Sequence, residues 1–244
     1  VIPRFTRMRL PNANGIQDMY AGVTENHNRN ELLVSDALKL VQEGRTPILL
    51  TERKEHAVLL AGCLSDQVQN VFLLIGSEKQ KDKREKLAAL QNVPDDENVV
   101  VVATGKYIGE GFDSPRLDTL LLAMPISWKG TLAQYAGRLH RNYKGKQEVR
   151  IYDYVDIHVP TLERMYHKRL KGYAELGYQV KFGAADQAVS VIYDGYSSML
   201  PFEQDLDDAA RSVVIVSPYL QKQNRETSSL FAEGEQLVME DVSM

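Results

Sequence analysis

Cysteine is almost absent from this sequence: Cys63 stands alone among 244 residues, which excludes an intrachain disulfide. It lies in the apolar run Leu59-Leu60-Ala61-Gly62-Cys63-Leu64, a setting that predicts an inert, buried thiol and fits a reducing, cytoplasmic environment. No apolar stretch approaches the roughly 20 residues needed to span a bilayer, and no charged-then-apolar leader opens the chain, so no membrane partner is expected. The first residue is Val rather than Met, which reads as a piece of something longer. A basic excess is missing as well. Lys and Arg number 29 against 33 Asp and Glu, a formal net charge of −4, so any nucleic-acid contact must be local. The histidines His27, His56, His140, His158 and His167 lack metal-ligand spacing and a Cys partner, so no metal site is expected. A phosphate-binding loop is also lacking. Gly105-Lys106 is followed by Tyr107 and has no earlier glycine, and Gly145-Lys146 is followed by Gln147, whereas such a loop needs Ser or Thr after the Lys.

What is present is an ordinary globular composition, 43% hydrophobic and 25% charged, enough for one full domain plus an appendage. Residues 1–27 are turn-rich and weakly patterned and read as a connecting segment. From residue 28 to Gly44, Leu32, Leu33, Ala37, Leu38 and Val41 recur at helical spacing, with Gly44 as the stop. Then the period changes. Strands are predicted at 47–51 and 68–75 around a helix at 55–64, and a helix at 79–90 precedes the β-branched run Val99-Val100-Val101-Val102. A strand at 117–122, a helix at 131–139 and a strand at 149–155 follow, and Pro160 opens a long amphipathic helix that Gly177 ends. This alternation implies an α/β fold with a mostly parallel sheet covered on both faces. Residues 189–193, 202–210 and 213–216 read as strand, acidic helix and strand, an α/β unit too small to hold a core by itself. The last twenty or so residues are polar and acidic and suggest no element.

Three segments carry candidate chemistry. In Gln134-Tyr135-Ala136-Gly137-Arg138-Leu139-His140-Arg141, two arginines three residues apart share a helical face, where both guanidiniums can reach one phosphate; the plain alternative is a solvated helix face. In Thr104-Gly105-Lys106-Tyr107-Ile108-Gly109-Glu110-Gly111-Phe112-Asp113, two glycines permit close backbone approach and Asp113 offers a carboxylate to ribose hydroxyls. This loop follows a strand end, the usual ligand side of an open α/β sheet, although a simple turn would look the same. In Leu50-Thr51-Glu52-Arg53-Lys54, a hydroxyl and basic groups at a strand end could contact a phosphate, or Thr51 could merely cap the helix that follows.

The order and spacing of these segments resemble motifs IV, V and VI of superfamily 2 helicases. Phrases such as Tyr107-Ile108-Gly109-Glu110-Gly111-Phe112-Asp113, Ala123-Met124-Pro125-Ile126-Ser127-Trp128 and Ile151-Tyr152-Asp153-Tyr154-Val155-Asp156 resemble bacterial DEAD/DEAH-type members related to restriction-enzyme subunits, over residues 45–178. The resemblance implies a second, C-terminal RecA-like lobe at 28–180. It implies Arg141 as an arginine finger with Arg138 beside it, and Gly109, Gly111, Asp113 and Gln134 on the nucleotide side. It implies Thr51, Arg53, Thr104 and Gly105 on a DNA or RNA backbone. ATP and Mg²⁺ would be held mainly by an N-terminal RecA-like lobe, the partner of this one. A non-catalytic RecA-like scaffold binding a phosphorylated or acidic partner is the alternative.

Residues 181–224, with Ile215-Val216-Ser217-Pro218-Tyr219-Leu220, resemble the opening of a phospholipase D-like domain, although no His has Lys two places on as that family's chemistry needs; 225–244 form a polar tail. Asp95-Asp96-Glu97-Asn98 precedes its strand and reads as a solvated turn rather than a metal box. Tyr166-His167-Lys168-Arg169-Leu170-Lys171-Gly172-Tyr173 is basic and aromatic. It suits either a nucleic-acid contact or, as the plainer reading, the charged outer face of a docked helix.

Overall fold

A computed structural model of the chain describes residues 1–10, 15–109, 112–126, 129–181, 212–216 and 236–240. The chain divides into two compact units, Val1–Val189 and Ser190–Met244. The first contains β1 (Ile2–Phe5), α1 (Ile16–Glu25), α2 (His27–Gln42), β2 (Pro47–Thr51), α3 (Lys54–Ser65), β3 (Asn70–Leu74), α4 (Gln80–Gln91), β4 (Val99–Thr104), α5 (Gly105–Gly109), β5 (Thr119–Leu122), α6 (Lys129–Leu139), β6 (Arg150–Val155) and α7 (Pro160–Glu175). Its six strands form one sheet in the order β1-β6-β5-β2-β4-β3, and every neighbouring pair is parallel.

The sheet is covered on both faces because its central strands alternate apolar side chains at every position. Ile48, Leu50, Val99, Val101, Ala103, Leu120 and Leu122 pack in one core with Leu90 of α4, Tyr107 and Ile108 of α5, and Leu132, Tyr135, Ala136 and Leu139 of α6. Leu49, Val100, Val102 and Leu121 pack in the other, against Leu33, Ala37 and Leu40 of α2 and Ala57, Leu60 and Leu64 of α3. Gly44 and Gly177 adopt φ of 75° and 78° just past α2 and α7, the left-handed conformation that ends a helix without strain only at glycine.

Three features differ from the sequence reading, and a fourth adds to it. Residues 2–5, expected inside a connecting segment, form an edge strand that pairs with β6, Ile2 opposite Tyr152 and Phe5 opposite Val155. The segment after it is anchored too: Met8, Met19 and Val23 bury against Val159, Leu162 and Met165 at the start of α7. Cys63 is exposed, not buried, because α3 turns Ala57, Leu60, Ala61 and Leu64 inward and residue 63 falls on the opposite face. The turn at 94–97 serves a structural purpose: Arg116 Nη1 donates to Pro94 O at 3.0 Å and its Nη2 to Asp95 O at 3.3 Å and to Glu97 O.

In the second unit β7 (Ser212–Val216) pairs in parallel with β8 (Gln236–Glu240), Ser212 opposite Gln236. The strand expected at 213–216 is present, while β8 lies in the stretch expected to be featureless. The expected strand at 189–193 and helix at 202–210 lie outside the described residues, and so does most of the segment that carries the phospholipase D-like resemblance. Among the described residues no helix is long and apolar enough to cross a membrane.

Candidate functional site

A parallel sheet gathers the carboxyl ends of its strands on one edge. Here the chain leaves β2 toward α3 on one face and leaves β5 toward α6 on the other, which opens a crevice between these adjacent strands at that edge. The register sets Thr51 opposite Thr104, so the segments chosen from the sequence around residues 51 and 104 do come together there.

The two hydroxyls nevertheless point inward. Thr51 is 1% exposed; its Oγ1 lies 3.0 Å from His56 Nδ1 and receives Arg53 N–H at 3.3 Å. Thr104 is also buried, and its Oγ1 accepts from Gly76 N at 3.0 Å. Both hydroxyls thus have partners within the protein and organise the edge from inside. Arg53 remains half-exposed and donates to Gln17 Oε1 on α1. Gly105 leaves room for the ends of two side chains: a Cβ there would run into the Glu52 carboxylate and the Tyr135 hydroxyl and push them aside. Tyr135 donates to that same Glu52 oxygen at 3.1 Å, and desolvation raises the Glu52 pKa above the usual carboxylate value. Tyr135, on α6, thus joins the helix that carries Arg138 to the strand ends, while Arg141 lies past the helix end rather than on the shared helical face expected from the sequence.

His56 is the buried centre of the β2 end. Its Nε2 lies 3.0 Å from Asn30 Oδ1, and because Asn30 Nδ2 already donates to Thr24 O at 2.8 Å, that oxygen accepts and Nε2 carries the proton. Nδ1 then accepts from Thr51. Burial, reinforced by the positive charge of Arg29, lowers the His56 pKa to about 4. An unfolded chain takes up this proton near pH 6.5. Stability from the neutral ring is therefore complete above pH 6.5 and drains away as pH falls toward 4, by about 3 kcal/mol in all. Melts of the parent and of His56→Gln between pH 7 and 4.5 check this. The parent should lose more stability than the variant across that range, and equal losses would remove His56 as the source.

The arginine segment occupies the end of α6 and the turn beyond it. Arg138 is half-exposed in the last turn and Gln134 is exposed. Arg141 Nε lies 3.5 Å from Asp113 Oδ1, the two side chains 56% and 48% exposed. An ion pair this open to water contributes about 0–1 kcal/mol, so Arg141 can exchange Asp113 for a stronger anion at little cost. The turn is fastened behind it: Lys146 Nζ donates to Arg141 O at 3.0 Å and to Pro115 O at 2.9 Å. Phe112, fully buried, meets Tyr107 edge-on with ring centroids 5.9 Å apart, which seats the start of the Asp113 loop. Among the described residues no ion pair holds Arg138, and no three His, Cys, Asp or Glu side chains gather as a metal cage. Gly109 closes α5; Gly111 lies outside the described residues.

The basic and aromatic run of α7 divides between two sides. His167, Lys168 and Lys171 are exposed, as an outer helix face requires, but Tyr166, Arg169 and Tyr173 are buried. Arg169 and its counterpart Arg29 are the polar residues that sequence reasoning missed. The only hint was Asp153 and Asp156 in and just past a predicted strand, where a buried carboxylate needs a cation.

No known protein-family profile matches the chain. Putative helicase 161L of Invertebrate iridescent virus 6 is 34% identical over 165 residues, 64% of this chain and 35% of that protein; the chain thus spans about a third of that relative's length. Uncharacterized protein 108L of Invertebrate iridescent virus 3 is 36% identical over 94 residues, 38% of this chain and 86% of that protein. Among solved structures T4 UvsW superposes with a TM-score of 0.60 at 18% identity, covering 75% of this chain and 41% of that one, a likeness of fold.

Proposed function

We propose that this chain, which belongs to the same family as the viral 108L protein and carries the C-terminal RecA-like lobe of superfamily 2 helicases, is the second motor lobe of an ATP-dependent nucleic-acid helicase or translocase. One observation carries the proposal above the rest. Arg138 and Arg141 stand at the open end of α6 and just past it, and among the described residues the Arg141 side chain is held only by an exposed contact with Asp113, in a sequence without a phosphate-binding loop. Guanidiniums with no triphosphate to serve in their own lobe suit a site completed by another.

In this reading an N-terminal RecA-like lobe holds ATP and Mg²⁺, and the cleft closes on the exposed end of α6. Charge builds on the γ-phosphoryl oxygens during transfer, and an arginine inserted there stabilises it. Arg141 leaves Asp113 to become that finger, Arg138 supports it, and the freed Asp113 carboxylate accepts from ribose hydroxyls. Gly109, Gly111 and Gln134 are assigned to the nucleotide in the same reading. A DNA or RNA backbone follows the carboxyl edge, gripped by Arg53 and by the loops that open after Thr51 and at Gly105, without dependence on base sequence. Because Tyr135 ties α6 to that edge, closure on the nucleotide and grip on the strand move together. The reducing cytoplasm is the proposed setting.

The 244-residue chain by itself is expected to hydrolyse no ATP in the presence of nucleic acid, whereas the intact two-lobed protein turns it over. Steady hydrolysis by this chain alone would refute the two-lobe assignment.

A further inference from the structure

The connection that delivers α6 is held by two buried arginines from other elements. β5 ends at Leu122, whose ladder partner is Asp153 of β6. The chain then runs through Ala123, Met124, Pro125 and Ile126, all buried or nearly so, and carbonyls that leave the ladder inside the protein need donors from elsewhere. Two guanidiniums supply them. Arg29 of α2 donates from Nη1 to Ala123 O at 2.6 Å while its Nε faces Asp156 at 3.1 Å. Arg169 of α7 donates from Nη1 to Ile126 O at 2.8 Å, and its Nε and Nη2 grip the two Asp153 oxygens at 2.8 Å each. Tyr173 completes the set, its hydroxyl donating to Asp153 Oδ2 at 2.8 Å.

The two constructions match: each arginine takes one carboxylate from β6 or its end and one carbonyl from the same short connection. Only a planar fork serves both partners at once. Stability alone is a poor reason for such pairs, since well-packed apolar side chains often replace a buried ion pair without loss. Arg29 Nη2 even meets no partner among the described residues, an uncompensated cost.

We propose that Arg29 and Arg169 are positioning residues, which fix the β5–α6 connection and thereby the place at which α6 presents Arg138 and Arg141. The proposal rests on the motor reading for what α6 does, and on the hydrogen bonds above for what holds it. Displacement of a reacting group by about 1 Å costs on the order of 10²-fold in rate, so a connection left unanchored matters even when the fold survives.

Two variants test it. Arg169→Lys keeps a cation beside Asp153 but lacks the fork that also reaches Ile126 O. Asp153→Leu/Arg169→Met/Tyr173→Phe replaces the Arg169 half of the network by apolar groups, so that the protein can fold without that anchor. Amide hydrogen exchange of α6, measured in this chain, should quicken about tenfold or more in both, with α3 unchanged. In the intact protein kcat for ATP should fall on the order of 10²-fold while KM stays near parental. A purely structural role predicts that activity returns whenever the melting temperature does. Parental α6 exchange in Arg169→Lys, or parental kcat in a variant whose α6 has loosened, would overturn the proposal. Absence of hydrolysis by the parental protein would instead defeat the motor reading, and exchange would still decide whether the arginines anchor α6.

Discussion

Arg141→Ala in the intact two-lobed protein is expected to lower nucleic-acid-stimulated ATP hydrolysis by about 10³-fold or more and to leave the melting temperature where it was. The two halves of this expectation have separate causes. Arg141 has a side chain 56% exposed and a single partner, Asp113, at 3.5 Å, and substitutions of that kind usually change stability by no more than about 0.5 kcal/mol. In the proposed motor role, its contribution to rate would arise only when phosphoryl charge develops nearby, in a site from which water is excluded. Arg141→Lys should recover little, because a single ammonium cannot span two oxygens as a planar guanidinium does. Hydrolysis by Arg141→Ala at the parental rate would remove Arg141 as the finger. A lowered rate together with a lowered melting temperature would mean that the turn around Lys146 had collapsed.

A large loss of stability is expected of Arg29→Met. Both members of the Arg29 and Asp156 pair have side chains 0% exposed, the guanidinium lies 5.7 Å from the centroid of the Tyr154 ring, and Thr6 Oγ1 donates to the same Asp156 carboxylate. Met fills comparable space but leaves Asp156 as a buried anion with one hydroxyl for company. Breaking a buried pair from one side costs about 3–5 kcal/mol, which in a domain of this size lowers the melting temperature by roughly 10 °C. Thermal or denaturant unfolding measures it. A loss no larger than that of a typical surface substitution would show that water or a neighbour takes over from Arg29.

These residues also mark where the sequence stopped being legible. The strands at 47–51 and 99–104 could be read because runs of Ile, Leu and Val bounded by turn residues leave few alternatives, and Gly44 and Gly177 announce their helix ends through a conformation other residues resist. The pairing of the glycine loop with the arginine segment was legible as a resemblance, and Asp113 and Arg141 do meet. β1 was not legible: Ile-Pro-Arg-Phe becomes a strand only because β6 is there to pair with it, and nothing local says so. That Thr51 and Thr104 lie side by side at one edge was legible from their strand ends, but the internal partners of their hydroxyls, His56 and Gly76, are not revealed by spacing. Arg29 and Arg169 escaped for a similar reason. A charged residue in an amphipathic helix reads as solvent-facing until a buried carboxylate on another element is known.

The edge strand also has a consequence in time. β1 precedes the other five strands of its sheet along the chain, yet its hydrogen-bonding partner is β6, Ile2 waiting for Tyr152 and Phe5 for Val155. Loop closure across so long a stretch is entropically unfavourable until most of the intervening sheet has formed, so β1 docks late and β6 stays an open edge until it does. Docking brings Thr6 to Asp156, the carboxylate that Arg29 also holds. Docking of β1 thus adds a hydroxyl to a carboxylate that Arg29 can already hold, and a nascent chain halted before residue 156 lacks that carboxylate altogether.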